Sequence, residues 1–157
     1  MTAHKVLVVE DSDAKFDAIV ETVTSTVPGC DITRAATMIE ADTQISDACW
    51  DLVILDISMD IAPSVLGPRS RGQANIGGLG IAHRMFLLDR EFPTVIVTAF
   101  DSFSSASTAD STAEIIGFEE IRSKASHYLP TSLLGCLQYS SATWRSELKM
   151  IVGEALS

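Results

Sequence analysis

The chain has 157 residues, 46% of them hydrophobic, with 11 Lys and Arg against 21 Asp and Glu and a formal net charge of −10. That length and apolar content suit one globular domain with its own core. The acidic balance argues against a surface made for nucleic acid, which needs clustered Lys and Arg, and leaves proteins or cations as the expected partners.

In chain order, Val6 to Val9 is a short aliphatic run of the kind buried on both faces of a sheet, and it stops at Glu10-Asp11. A helix follows, capped by Ser12 or Asp13, with Phe16, Ile19, Val20, Val23 and Val27 at helical spacing until Pro28-Gly29. Ile32 to Ala36 predicts a second strand. Thr37 and Glu40 form a capping-box pattern that starts a second helix through about Ser46. Leu52 to Leu55 is the third strand. Gly78 to Glu91 predicts a third helix burying Leu79, Ala82, Met85 and Phe86, and Pro93 breaks it before a fourth strand, Thr94 to Thr98. Phe100 to Ala113 is Ser, Thr, Ala and Asp rich and reads as a loop, and Gly117 to Leu129 reads as helix. Two segments compete for the last strand, His127 to Thr131 and Gly135 to Tyr139. The second is preferred, because Trp144, Leu148, Ile151, Val152 and Ala155 then fall on one face of a closing helix.

Short strands, apolar throughout and separated by amphipathic helices, imply an α/β fold with a doubly wound parallel sheet of five strands and helices on both faces. One domain is expected over residues 1–157, with insertions at about 60–75 and 100–116. Cys30, Cys49 and Cys136 are odd in number and far apart, which fits free thiols in a reducing cytoplasm. Met-Thr-Ala-His-Lys leads into the first strand without a signal-peptide core, and no apolar stretch approaches membrane-spanning length. The chain is therefore expected to be soluble, unprocessed and without a membrane partner.

In such a sheet the functional crevice lies beyond the carboxyl ends of the strands, where strand order reverses. Glu10 and Asp11 follow the first strand and Asp56 follows the third. If those strands are neighbours, acids from distant sequence converge. Two such charges about 5 Å apart repel by roughly 3 kcal/mol at an effective dielectric near 20. A counter-cation relieves this, and an all-oxygen set with few protein ligands suits Mg²⁺, with Mn²⁺ possible. Thr98 ends the fourth strand on the same edge, where its hydroxyl could donate to a bound anion. Each of these residues taken alone has a plainer reading, as a cap or a β-former.

Lys-Val-Leu-Val-Val-Glu-Asp-Ser, Asp-Leu-Val-Ile-Leu-Asp-Ile-Ser-Met, Asn-Ile-Gly-Gly-Leu-Gly-Ile and Val-Ile-Val-Thr-Ala occur in this order between residues 5 and 99. Together they resemble the receiver domain of two-component response regulators, which has a flavodoxin-like fold with strand order 2-1-3-4-5. The resemblance implies that Asp56 is the phosphoacceptor, charged by a histidine kinase or phosphotransfer protein. It implies Mg²⁺ held by Asp11, Asp56 and the Ser58 backbone carbonyl, with Glu10 acting through a metal-bound water, and Thr98 as the switch hydroxyl. The protein would not be an enzyme beyond its own phosphoacceptor and autophosphatase chemistry, and an unidentified downstream protein would receive the signal.

Three departures stand out. Asp60 replaces a proline common after the Met59 position, and an insertion precedes Gly78 beside the site. The Lys-Pro pair that follows the last strand in the family, whose lysine pairs with the phosphoryl group, is missing: the preferred strand ends in Gln138-Tyr139-Ser140, and the rival in Pro130-Thr131. Lys124 lies in the fourth helix as a solvated charge, and Arg69 and Arg71 in the insertion read as surface residues. Loss of the lysine admits a second reading, a receiver-like interaction module that is no longer phosphorylated. A third, an Mg²⁺-dependent phosphatase of the haloacid-dehalogenase kind, expects a second Asp two residues after the nucleophile, where this chain has Ser58. Gly77-Gly78-Leu79-Gly80 lacks dinucleotide spacing and reads as a tight entry into the third helix. Trp144 reads as core, and His83 and His127 as helix-surface residues.

Overall fold

Aliphatic residues with no polar alternation build the central strands of the sheet. In a computed structural model, which describes residues 3–58, 77–99 and 118–157, the strands are β1 (Lys5–Val9), β2 (Asp31–Ala35), β3 (Leu52–Leu55), β4 (Thr94–Thr98) and β5 (Leu133–Gln138). The helices are α1 (Asp13–Thr26), α2 (Met38–Asp47), α3 (Gly77–Leu87), α4 (Phe118–Tyr128) and α5 (Trp144–Ala155). All five strands are parallel and lie in the order β2-β1-β3-β4-β5, as expected. The insertions expected at 60–75 and 100–116 lie outside the described residues, apart from what their flanks show.

Alternate residues of the central strands face opposite layers of core. Leu7, Val9, Val53, Leu55 and Ile96 join Ile45 of α2, Met85 of α3 and Ile121 of α4 in one layer. Val6, Val8, Leu52, Ile54, Val95 and Val97 join Ile19 and Val23 of α1 and Trp144, Leu148 and Val152 of α5 in the other. Trp144 is therefore core, as expected. Position within the strand decides which helices a side chain meets.

The local signals explain the helix starts. Ser12, not Asp13, caps α1, its Oγ accepting from the Lys15 N–H at 3.4 Å. Thr37 caps α2 by accepting from the Glu40 N–H at 3.1 Å, and Glu40 reaches back to the Ala36 N–H.

α3 departs from its expected extent of Gly78 to Glu91. It ends at Leu87 because Asp89 adopts φ 53°. The Arg90 N–H then bonds to the Met85 carbonyl and the Asp89 N–H to that of Phe86, closing a Schellman turn with aspartate in the left-handed position. Arg90 reinforces the turn by donating to the Ile45 and Ala48 carbonyls at the end of α2, at 3.0 and 2.9 Å. Phe86 is 48% exposed and not buried as expected, since the inward stripe runs through Leu79, Ala82 and Met85 and leaves it on the flank. His83 and His127 are on the surface, with His83 stacked on Tyr128 at 4.7 Å between ring centroids.

The preferred candidate for the last strand is the one found, displaced to Leu133–Gln138, while His127 to Thr131 is the end of α4 and a turn. Thr94 pairs with Leu133 but Val95 with Gly135, so Leu134 is an extra residue in β5. The bulge turns Leu134 outward.

Candidate functional site

Val9 pairs with Leu55, and the Asp56 N–H continues the ladder by donating to the Val9 carbonyl at 3.0 Å. Glu10 and Asp56 therefore leave the sheet side by side. Both continue the alternate positions of Val6, Val8, Leu52 and Ile54, which places their carboxyl groups on the α1 side of the sheet. Asp11 follows, exposed, at the entrance. One carboxylate oxygen from each of Glu10, Asp11 and Asp56 lies within 4.8 Å of the others.

The hydrogen bonds orient two of these acids. Glu10 Oε2 accepts from the Ser12 N–H at 3.0 Å, and Asp56 Oδ1 accepts from the Ser58 N–H at 3.0 Å and the Ser58 hydroxyl at 2.8 Å. Ser58 thus contributes through its amide and side chain. The described contacts to Asp56 fall on Oδ1.

The residue that sequence reasoning missed is Lys15. It projects from the first turn of α1, is 4% exposed, and places its ammonium 2.9 Å from Glu10 Oε1 and 3.2 Å from Asp56 Oδ1. At these separations the ammonium makes a charge-assisted contact with both carboxylates, and its contact with Glu10 pulls that carboxyl down. The Lys15 ammonium also lies 5.6 Å from the centroid of the Tyr139 ring, which in turn packs on Trp144 at 4.9 Å. Tyr139 stands directly after β5, where the resemblance expects lysine. A signal was available: Lys15 precedes Ala18, Ile19 and Thr22 by three, four and seven residues, and all three are buried. A lysine on the inward stripe of a helix needs an acid to meet.

Burial, and then the neighbouring Asp56 charge, push the Glu10 carboxyl up from 4.5 to about 7, against the opposing pull of Lys15. Folded protein thus holds a proton on Glu10 at pH values where the unfolded chain has lost it. Between about 4.5 and about 7 the contribution of Glu10 to stability falls as pH rises. In metal-free buffer, urea denaturation should show wild type losing stability relative to Glu10→Gln across that range. A constant difference would contradict the shift.

Thr98 is fully buried at the carboxyl end of β4 and shares the alternation of Ile96, which assigns it to the α3 and α4 face. Its carbonyl accepts from the Tyr139 N–H at 2.8 Å, tying the exits of β4 and β5 together. Gly78 closes the floor of the site. Its N–H donates to the Ile57 carbonyl at 3.1 Å, and a Cβ there would overlap the Asp56 carbonyl oxygen and stand 2.6 Å from the Ile57 Cα. This is the tight helix entry expected of the glycine cluster. Lys124 pairs with Glu120 on the surface of α4 and stays away from the site, while Arg69 and Arg71 lie outside the described residues.

The donor set is all oxygen, with two buried carboxylates and one exposed acid at the entrance. These residues fit a small hard cation. Cys136, in β5, is a poor nucleophile, its thiol pushed up to about 11 by burial. Among the described residues, no helix is long and apolar enough to cross a membrane.

No family model and no curated protein matches the chain. Solved structures do. The chain is similar to the N-terminal domain of a response regulator/sensory box/GGDEF 3-domain protein from Carboxydothermus hydrogenoformans, at 24% identity over 97% of this chain and 93% of that one, with a TM-score of 0.57. A signal receiver domain of a two-component histidine kinase from Clostridium thermocellum matches at 12% identity over 99% of both chains, with a TM-score of 0.67. The phosphorylated cyanobacterial phytochrome response regulator RcpA matches at 14% identity over 98% of this chain and 91% of that one, with a TM-score of 0.58. The fold is that of response regulator receiver domains.

Proposed function

We propose that this receiver fold works as a phosphorylation-controlled signalling switch, with Asp56 as the phosphoacceptor and a histidine kinase or phosphotransfer protein as donor. The observation that carries the reading is Asp56 itself, buried at the carboxyl end of β3 with Oδ1 held by Ser58 and Lys15 and with Glu10 and Asp11 beside it. Oδ2 attacks phosphorus, an O–P bond forms, and the P–N bond to the donor imidazole breaks with its electron pair going to nitrogen. The product is an acyl phosphate on Asp56. Ser58 fixes the carboxylate plane so that one oxygen, not either, meets the donor. Burial of Glu10 and Asp56 limits the access of hydrolytic water.

Asp11, Asp56 and the Ser58 backbone carbonyl, with Glu10 through a water, would hold Mg²⁺, and Mn²⁺ would suit the same oxygens. When bound, the ion supplies positive charge that screens the incoming phosphoryl oxygens. Thr98 is the proposed switch hydroxyl at the exit of β4. Phosphorylation adds negative charge at Asp56, and the surface of α4, β5 and α5 is the proposed contact face for a downstream protein.

Lys15 also favours a second reading, an interaction module that has dispensed with phosphorylation, because a buried ammonium already offsets the carboxylate charge. Titration with Mg²⁺ followed by amide NMR separates the two. The switch expects saturable shifts centred on Asp11, Asp56 and Ser58, and silence at those amides would favour the module.

A further inference from the structure

We infer that Lys15 is the cation that receives the phosphoryl group, taking over from α1 a task for which β5 supplies no lysine. The inference rests on Asp56 being the phosphoacceptor. Before transfer, the Lys15 ammonium faces Asp56 Oδ1 at 3.2 Å and Glu10 Oε1 at 2.9 Å. Attack by Oδ2 converts Oδ1 from half of a carboxylate into the carbonyl oxygen of an acyl phosphate, and the negative charge moves onto phosphoryl oxygens. The ammonium then loses its ionic partner on Asp56 and gains a stronger one a few bonds away.

Three features suit Lys15 to this move. Its Nζ is buried within 2.9–3.2 Å of one oxygen each from Glu10 and Asp56, which leaves the third of its N–H donors for a phosphoryl oxygen. Its unbranched stem allows the head group to swing without moving α1. Tyr139, at the place where a lysine is expected, caps the ammonium with its ring and blocks escape toward β5.

The test uses beryllofluoride, a phosphoryl mimic, together with Mg²⁺ alone, on the full chain. Wild type, Lys15→Met, Lys15→Arg and Asp56→Asn are compared, with circular dichroism reporting the fold. Lys15→Met should bind Mg²⁺ at least as tightly as wild type, because a competing cation is gone. Its beryllofluoride affinity should fall roughly ten- to a hundredfold, the loss expected for one charge-assisted hydrogen bond. Lys15→Arg should recover most of that loss. Parallel weakening of both ligands would make Lys15 structural and overturn the inference, and so would unchanged beryllofluoride affinity in Lys15→Met. Wild type that neither binds beryllofluoride nor labels with acetyl phosphate overturns the phosphoacceptor reading and this inference with it. Labelling of wild type and Lys15→Met at equal rate and lifetime overturns Lys15 alone.

Discussion

Asp56→Asn should abolish labelling by acetyl phosphate and Mg²⁺, measured as the gain of one phosphoryl group in the intact mass, while the protein stays folded. The substitution keeps the side-chain shape, and the amide oxygen can still accept from the Ser58 N–H and hydroxyl that now meet Oδ1. It removes the nucleophile, because an amide has no carboxylate lone pair to offer phosphorus. It also removes the charge that, after burial, raises the Glu10 carboxyl, so Glu10 should titrate lower in the variant. That second effect reports on local electrostatics even if the fold is slightly perturbed. Labelling of the variant at the wild-type level would falsify the assignment of Asp56.

Gly78→Ala should destabilise the fold by about 2–3 kcal/mol, at the upper end for overpacking. Most small-to-large changes press on side chains that can turn aside. Here the added methyl meets backbone: the Asp56 carbonyl oxygen and carbon and the Ile57 Cα. Relief requires α3 to retreat or the β3 exit to shift, and either displaces the proposed phosphoacceptor. Equilibrium urea denaturation measures the first effect. Amide shifts at Asp56 and Ser58, larger than those in α1, would confirm the second. Wild-type stability in the variant would mean that α3 approaches β3 less closely than described.

Much of the architecture was legible because its signals are local or periodic. Val6–Val9, Leu52–Leu55 and Thr94–Thr98 are strands buried on both faces, so they read as unbroken apolar runs. Ser12 and Thr37 announce helices through hydrogen bonds within three residues. The acids of the site were legible because a strand end is a fixed place in this topology. What escaped depends on geometry that periodicity does not encode. The end of α3 is set by a left-handed aspartate, a role for which Gly or Asn is the usual sign. β5 was ambiguous because Leu134 is a bulged extra residue, which breaks the alternation by one. Lys15 was overlooked because a charge among helix residues normally reads as solvated, and only the folded register of β1, β3 and α1 brings it to Glu10 and Asp56.

Asp56 sits on the α1 side of the sheet, and Thr98, by the alternation of β4, on the α3 and α4 side. The sheet therefore separates the proposed phosphoacceptor from the proposed switch hydroxyl. If Asp56 is phosphorylated as proposed, the event reaches the α4 part of the contact face through the rim where β3 and β4 end, whereas α5 already lies on the side of Asp56. Such a wall insulates as well as transmits: changes in the α1 and α5 layer that do not reach the rim stay silent on the far side. The rim, a few residues wide, is where evolution or an engineer would tune the gain of the signal without touching its chemistry.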